Sequence, residues 1–532
     1  MKSMARFVAD TLRGPPVPPT LPGYRQARSR RRQVFRYVLG MGTLALVSAL
    51  FGFFFALFPP SFYLYLAAPI AVAVLVAIWA LPETEKPLPA MVSFFFFAFL
   101  ISLCVWPNYL ALALPGLPWI TSNRLFTVPL FFAFLVSLSV SSDFKRRVAE
   151  PLAHSRPAMI ALIIFVGLQF LTIAFSWNPA RSATLFVNAQ LEFTMIILVS
   201  LWIFSFEKNA RLFAPLCLFF GLYQAGLGLG EYVSQSVFWA DAVPEILKGD
   251  KFLVSKILSG QVRYAVGTHR SQGTFTTSLS YAEFLGIVQP FMLYIVFFWK
   301  NIFVKVLGGL AFILALIAII LSQSRLGLVA TIVGLLLFSL ILALRYWRIH
   351  RNSLLSPAII LAYPIAAAGF LALTVVWNRL SNMVWGGGET QASNVSRMEQ
   401  YQTGFQKVLD WPFGYGMGNA AKQIGMVSAD GMLNIDTYYM LILLDNGIIG
   451  FISYATIFIY AIYKTSVLSV NNIGSSAYHT IIIPISCALT SFFITKSVLS
   501  QEDTHSFIAV ILGLAISAIY MDRHGSSAEK AR

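Results

Sequence analysis

A chain of 532 residues that is 58% apolar and only 11% charged, with a mean hydropathy of +0.73, excludes an ordinary soluble domain and reads as a protein that crosses a membrane many times. Its net charge of +16 could suggest nucleic acid, but the basic residues lie in short loops between apolar runs, and no nucleic-acid function is read from them. Cys104, Cys217 and Cys487 all fall inside apolar segments, which excludes a disulfide framework or a cysteine metal site.

Residues 1–36 form a basic, Pro-rich tail whose Arg28-Ser-Arg-Arg-Arg32 cluster suits an anionic inner leaflet; the first apolar run lies too far in, and is too long, for a cleavable signal. Apolar runs of spanning length follow near 37–58, 61–81, 90–106, 125–141, 158–176, 184–206, 211–231, 278–299, 303–322, 326–344, 356–376, 437–463, 478–496 and 505–521. The expectation is an all-α polytopic membrane protein of about fourteen helices. Its N-terminal helices occupy 37–231, its central helices 278–376 and its C-terminal helices 437–521, before a short tail at 522–532. Alternating sides puts 25 of the 38 Lys and Arg on the inner face, which predicts both termini in the cytoplasm. Two long segments, 232–277 and 377–436, then lie outside, and long loops on a tight bundle carry function more often than mere connection. In the first, Ile246, Leu247, Phe252, Leu253, Val254, Ile257 and Leu258 interleave with Lys248, Lys251 and Lys256, an interfacial amphipathic pattern broken by Pro244 and Gly249. In the second, Arg397, Tyr401, Phe405, Val408 and Leu409 recur at helical spacing until Trp411-Pro412 ends the run. No internal repeat is seen.

Three arginines collect on the outer face: Arg270 in Gly267-Thr-His-Arg-Ser-Gln-Gly273, Arg325 in Ser322-Gln-Ser-Arg-Leu-Gly327, and Arg397. Arg325 stands between two apolar runs with almost no loop, either snorkelling to headgroups or holding an anionic group such as a phosphate. A guanidinium matches phosphate oxygens with a rigid fork of donors and stays charged in a partly dry site. Gly414, Gly416 and Gly418 form either a plain turn or a backbone path that an oxyanion could approach. Asp436, where the chain re-enters the membrane, is either a helix N-cap or a weak general base for a sugar hydroxyl.

Together, Arg270-x-x-Gly-Thr-Phe275, Ser324-Arg325-Leu-Gly327, Arg397 with Pro412-Phe-Gly-Tyr-Gly-Met-Gly418, and Asp436 with Gly447-Ile-Ile-Gly450 resemble the O-antigen ligase/polymerase family over residues 263–464. The family comprises Wzy-type polysaccharide polymerases and WaaL-type ligases of bacterial surface glycans. The resemblance implies an all-helical GT-C-like glycosyltransferase bundle in the bacterial inner membrane, with its active site on the periplasmic face. It implies transfer of glycan from an undecaprenyl-diphosphate carrier to an acceptor hydroxyl without metal or cofactor, membrane lipid and a chain-length regulator being the other partners. Arg270 and Arg325 would act in catalysis with Asp436, while Arg397, Tyr401, Gly414, Gly416, Gly418 and Tyr438 would bind substrate. The sequence agrees in having no P-loop, no Asp-x-Asp and no metal-ligand cluster. Family ligases carry a histidine in the large outer loop near its re-entry, where this chain has Asp436; its outer histidines are His269 and His505. That difference favours a polymerase of exopolysaccharide, capsule or O-antigen repeats over a ligase. A flippase for polyprenyl-linked glycan is a third reading, but such a protein should line its spans with charge, and the clear in-span acids here are Glu192 and Glu283.

Overall fold

The computed structural model describes residues 73–81, 89–113, 119–263, 268–376, 391–425, 435–471 and 477–530, with isolated helical residues between 38 and 49. The chain divides into two compact units, one of Met1–Pro87 with Leu138–Ser141, the other of Leu88–Ser137 with Ser142–Arg532. In the first, Ser139 Oγ donates to the Ile78 carbonyl at 2.7 Å. All of the site discussed below belongs to the second.

Among the described residues, ten helices are long and apolar enough to cross a membrane, each on a run expected from sequence. A 17-residue apolar helix stands at Pro89–Val105 and a 22-residue one at Leu355–Val376 on the expected 356–376 run, while the runs at 37–58 and 61–81 lie largely outside the described residues. Ten of the fourteen expected runs thus carry helices of spanning length and composition among the described residues. Two short antiparallel pairs, Ala111–Leu112 with Ile120–Thr121 and Gln261–Arg263 with Thr268–Arg270, are the only strands among those residues.

Which helices sit inside follows from their polar content. The helix Ile302–Leu321 is almost uniformly apolar, and only 28% of its spanning window is buried by protein. By contrast His505–Asp522 is 89% buried, and Ser278–Phe298 encloses Glu283, Gln289 and Tyr281. Apolar helices need no protein cover in lipid, whereas polar side chains must find partners within the bundle. The 278–298 helix meets Arg325–Ile349 through small residues: a Cβ on Gly286 would lie 2.6 Å from that of Ala330, and one on Gly327 would lie 2.7 Å from that of Ala282. This close approach draws the Arg325 turn against the start of the 278–298 helix.

The expected outer helix is present at Gln391–Asp410 and stops before Trp411. The segment 232–263 bends as Pro244 and Gly249 require, through a single turn at Glu245–Leu247 into the short helix Lys251–Leu258. Asp250 caps that helix, accepting from Leu253 N at 3.0 Å; Val254, Ile257 and Leu258 face inward, while Phe252 and Leu253 are exposed.

Candidate functional site

The Arg270 segment is held by buried polar groups of the helix Glu207–Ser234. Glu231 Oε2 accepts from the backbone of Gln272 at 2.9 Å and of Gly273 at 3.0 Å. Ser271 Oγ donates to the Gly228 carbonyl at 2.6 Å, and Gln224 Nε2 donates to Thr274 Oγ1 at 2.6 Å. Gly273 turns there at φ +52, a left-handed conformation that glycine adopts without penalty. So anchored, Arg270 Nε donates to the Ser322 carbonyl at 3.0 Å. Ser322 begins the tight turn that carries Arg325: Gln323 is left-handed at φ 52, Ser324 N reaches Ser322 Oγ at 3.3 Å, and Arg325 is the first residue of its helix. The Arg270 guanidinium thus sits on the turn that leads into Arg325 at a helix N-terminus, where the backbone dipole also favours negative charge.

The other arm is built on Arg397. Its Nε lies 3.9 Å from Asp436 Oδ2, with each side chain 26% exposed, and Gln400 Oε1 accepts from Asp436 N at 2.8 Å. The re-entry helix begins at Tyr438, so Thr437 stands directly before it and Asp436 one residue further out than the expected cap position. Tyr401 OH donates to the Ser497 carbonyl at 2.9 Å. Tyr438 is buried, its ring centroid 5.6 Å from that of Tyr454 and 4.4 Å from that of His505.

The glycine run is placed elsewhere. Gly447 interrupts the 438–471 helix with φ 75 and ψ −179, and the run docks into that break. Tyr415 N donates to the Leu444 carbonyl at 2.7 Å, Gly416 N to the Asp445 carbonyl at 3.0 Å, and Ile448 N to the Pro412 carbonyl at 3.0 Å. The Asp445 carboxylate then accepts from the backbone of Gly418 at 2.8 Å, Asn419 at 3.1 Å and Ala420 at 2.8 Å. The amides of Gly416 and Gly418 therefore serve the protein's own groups rather than opening onto a ligand. Close approach explains the glycines: a Cβ on Gly414 would lie 2.6 Å from the Asp445 carbonyl oxygen and one on Gly418 would lie 2.5 Å from Leu185 Cδ1.

What joins the two arginine arms is the segment 496–504, which sequence reasoning did not single out. Lys496 and Glu283 are both fully buried and pair at 3.0 Å. Thr495 Oγ1 and Thr504 Oγ1 also donate to the Glu283 carboxylate, at 2.7 Å and 2.6 Å, and Lys496 Nζ reaches the Gln501 carbonyl at 2.6 Å. Tyr438 N donates to the Lys496 carbonyl at 3.2 Å, tying the segment to the Asp436 re-entry, while Thr276 N donates to Asp503 Oδ2 at 3.3 Å, tying it to the Arg270 side. A buried pair of this kind adds little net stability over apolar packing, so its value lies in fixing which elements meet. The available signal was an acid inside one span and a lysine ending another, and nothing in a linear pattern says that the two meet. Among the described residues no group of three His, Cys, Asp or Glu is placed to hold a metal ion.

Arg325, Arg397, Asp436 and the Gly447 break all lie within one continuous stretch, with Arg270 outside it. No curated protein matches the chain. Residues 310–455 match the family model described as Wzy_C, O-antigen ligase, and through this domain the chain is similar to the O-antigen ligase/polymerase family that its motifs indicated.

Proposed function

We propose that this protein polymerises oligosaccharide repeats carried on undecaprenyl diphosphate, on the periplasmic face of a bacterial inner membrane. The observation that carries the reading is the bond from Arg270 to the Ser322 carbonyl, which sets Arg270 and Arg325 on one turn, a geometry suited to a diphosphate. In the reaction the acceptor oxygen bonds to the sugar's anomeric carbon as that carbon's bond to the diphosphate breaks, the electron pair leaving with the phosphate oxygen. Arginines fixed before the reaction stabilise the charge that grows on this leaving group. The Arg397–Asp436 contact gives Asp436 a positioning role, its carboxylate lying 3.9 Å from the guanidinium that would face the donor.

A ligase, moving finished glycan to lipid A core or another acceptor, is the second reading, favoured by the description of the matching family model. The surface glycan of a deletion strain separates the two. Single repeats on the acceptor support polymerase; full-length glycan stranded on the lipid carrier supports ligase; a strain with normal surface glycan removes both.

Two further outcomes are expected. A cysteine placed at position 392 should react with a membrane-impermeant maleimide in cells whose inner membrane is intact; labelling only after that membrane is breached overturns the periplasmic placement. Asp436→Asn keeps a hydrogen-bonding oxygen for Arg397 but removes the charge, so the Michaelis constant for the lipid-linked donor should rise about 5–10-fold, a loss of ~1 kcal/mol. An unchanged constant with a fall of kcat about 10²-fold or more would make Asp436 the general base instead.

A further inference from the structure

We propose that Glu502 is a catalytic carboxylate of this site, accepting the proton of the incoming sugar hydroxyl. The inference rests on the glycosyl-transfer reading above and concerns a residue outside the matched domain.

The turn 501–505 is tied down around Glu502. The Gln501 carbonyl accepts from Lys496 Nζ at 2.6 Å, the Glu502 carbonyl accepts from His505 N at 2.9 Å, Asp503 accepts from Thr276, and Thr504 donates to Glu283 at 2.6 Å. Within this fixed turn Glu502 is the one exposed side chain. Glu502 thus presents its carboxylate to solvent from a turn tied to both arginine arms, through Thr276 N on Asp503 and through Tyr438 N on the Lys496 carbonyl.

The charged and titratable groups around Glu502 come from each neighbouring element. Lys496 and Asp503 flank Glu502 within its own segment, and Glu192 acts on it from the single π-helical turn Gln190–Thr194. Glu502 in turn acts electrostatically on Tyr438, Asp445 and Tyr454 of the re-entry helix. The 3.2 Å bond from Tyr438 N to the Lys496 carbonyl holds this segment beside the start of that helix. A second observation points the same way: His505 is only 8% exposed, and neither ring nitrogen has a hydrogen-bond partner, although its ring packs at 4.4 Å on Tyr438. Buried polar atoms are seldom left unpaired without a use, and a neutral imidazole supplies one donor and one acceptor, the complement of a hydroxyl or of a relayed proton.

Desolvation by the protein packed around the turn, opposed by Lys496 and helped by Glu192 and Asp503, raises the Glu502 carboxyl to about 7 although the side chain keeps access to solvent. A base is most effective when it titrates near the working pH. The proton thus passes from the acceptor oxygen to Glu502 as that oxygen attacks the anomeric carbon, and the electron pair of the broken bond leaves on the diphosphate.

The test uses the purified full chain in lipid nanodiscs with undecaprenyl-diphosphate-linked oligosaccharide. Wild-type kcat/KM should rise with pH through about 7 and then level, because the ionised carboxylate is the active form. Glu502→Gln should lower kcat about 10²–10⁴-fold, leave the donor KM within about 3-fold, and abolish that rise. Glu502→Asp should recover part of the rate and restore a rise with pH, and it decides the matter if the Gln variant fails to insert. Asp436→Asn should keep the pH dependence. A Glu502→Gln protein with wild-type rate and profile overturns the proposal. A wild type that transfers no glycan overturns the functional reading instead. In that case infrared difference spectra test the carboxyl directly: a protonated-carboxyl band titrating near pH 7 and lost in Glu502→Gln supports the assigned environment, and its absence from wild type refutes it.

Discussion

Arg325→Lys should insert and fold as wild type yet lose about 10–100-fold in glycan transfer. The substitution keeps the positive charge at the first position of the 325–349 helix, so the favourable interaction with its neighbours and with the leaflet is retained. What it removes is the planar fork. An ammonium offers a compact point charge on a flexible stem, whereas the guanidinium can grip two phosphate oxygens at once, and a charge-assisted bond lost in the transition state is worth about 1.5–3 kcal/mol. The turn magnifies the effect. Arg270 Nε is already committed to the Ser322 carbonyl at 3.0 Å, so Arg270 cannot swing across to replace the missing donors without releasing the turn that carries Arg325. Initial rates of transfer from a lipid-linked donor, measured beside the thermal midpoint of the purified protein, check both halves of the expectation. A lysine variant with near-normal rates would return Arg325 to the class of headgroup anchors, and a variant with a lowered midpoint would make the arginine a folding residue.

Gly447→Ala should instead act through the fold, with a destabilisation of about 3–5 kcal/mol, a large part of the 5–15 kcal/mol typical of a folded domain. The backbone there has φ 75 and ψ −179, a region open almost solely to glycine, and forcing another residue into it costs about 1–3 kcal/mol. Space adds to the strain: the new Cβ would lie 2.4 Å from the Pro412 carbonyl oxygen and 2.6 Å from the Phe413 carbonyl carbon, both backbone atoms. Relieving that clash separates the 412–418 run from the helix break, and with it the 3.0 Å bond from Ile448 N to the Pro412 carbonyl. The loss should appear as a lower thermal midpoint and faster proteolysis after Trp411. Gly226→Ala is the matched control, because its Cβ would meet nothing within 4 Å and it sits inside the helix Glu207–Ser234. Equal midpoints for the two variants would show that the docked run contributes nothing to stability.

The amino-acid sequence by itself determined that this is a membrane bundle, where ten of its spans lie, and where the helix Gln391–Asp410 ends. These are local properties: about twenty apolar residues commit a segment to lipid whatever its neighbours do, and Trp411-Pro412 stops a helix through its own backbone. It also marked Arg270, Arg325, Arg397 and Asp436, because charge beside long apolar runs stands out in one dimension. The tertiary structure alone decided what these residues touch. Gly414, Gly416 and Gly418 could be read as a ligand cradle or a turn until the Gly447 break placed Asp445 against the amides of Gly416 and Gly418. Glu283 and Lys496 are 213 residues apart in sequence, and their 3.0 Å contact depends on two helices packing side by side. Glu502 carries no motif of any kind; its significance comes from a turn held at neighbouring residues by partners from other helices. Helix formation and membrane partition are dictated within a few residues of chain, but a site is made by several elements at once, and side chains distant in sequence acquire a chemical role only when packing brings them together.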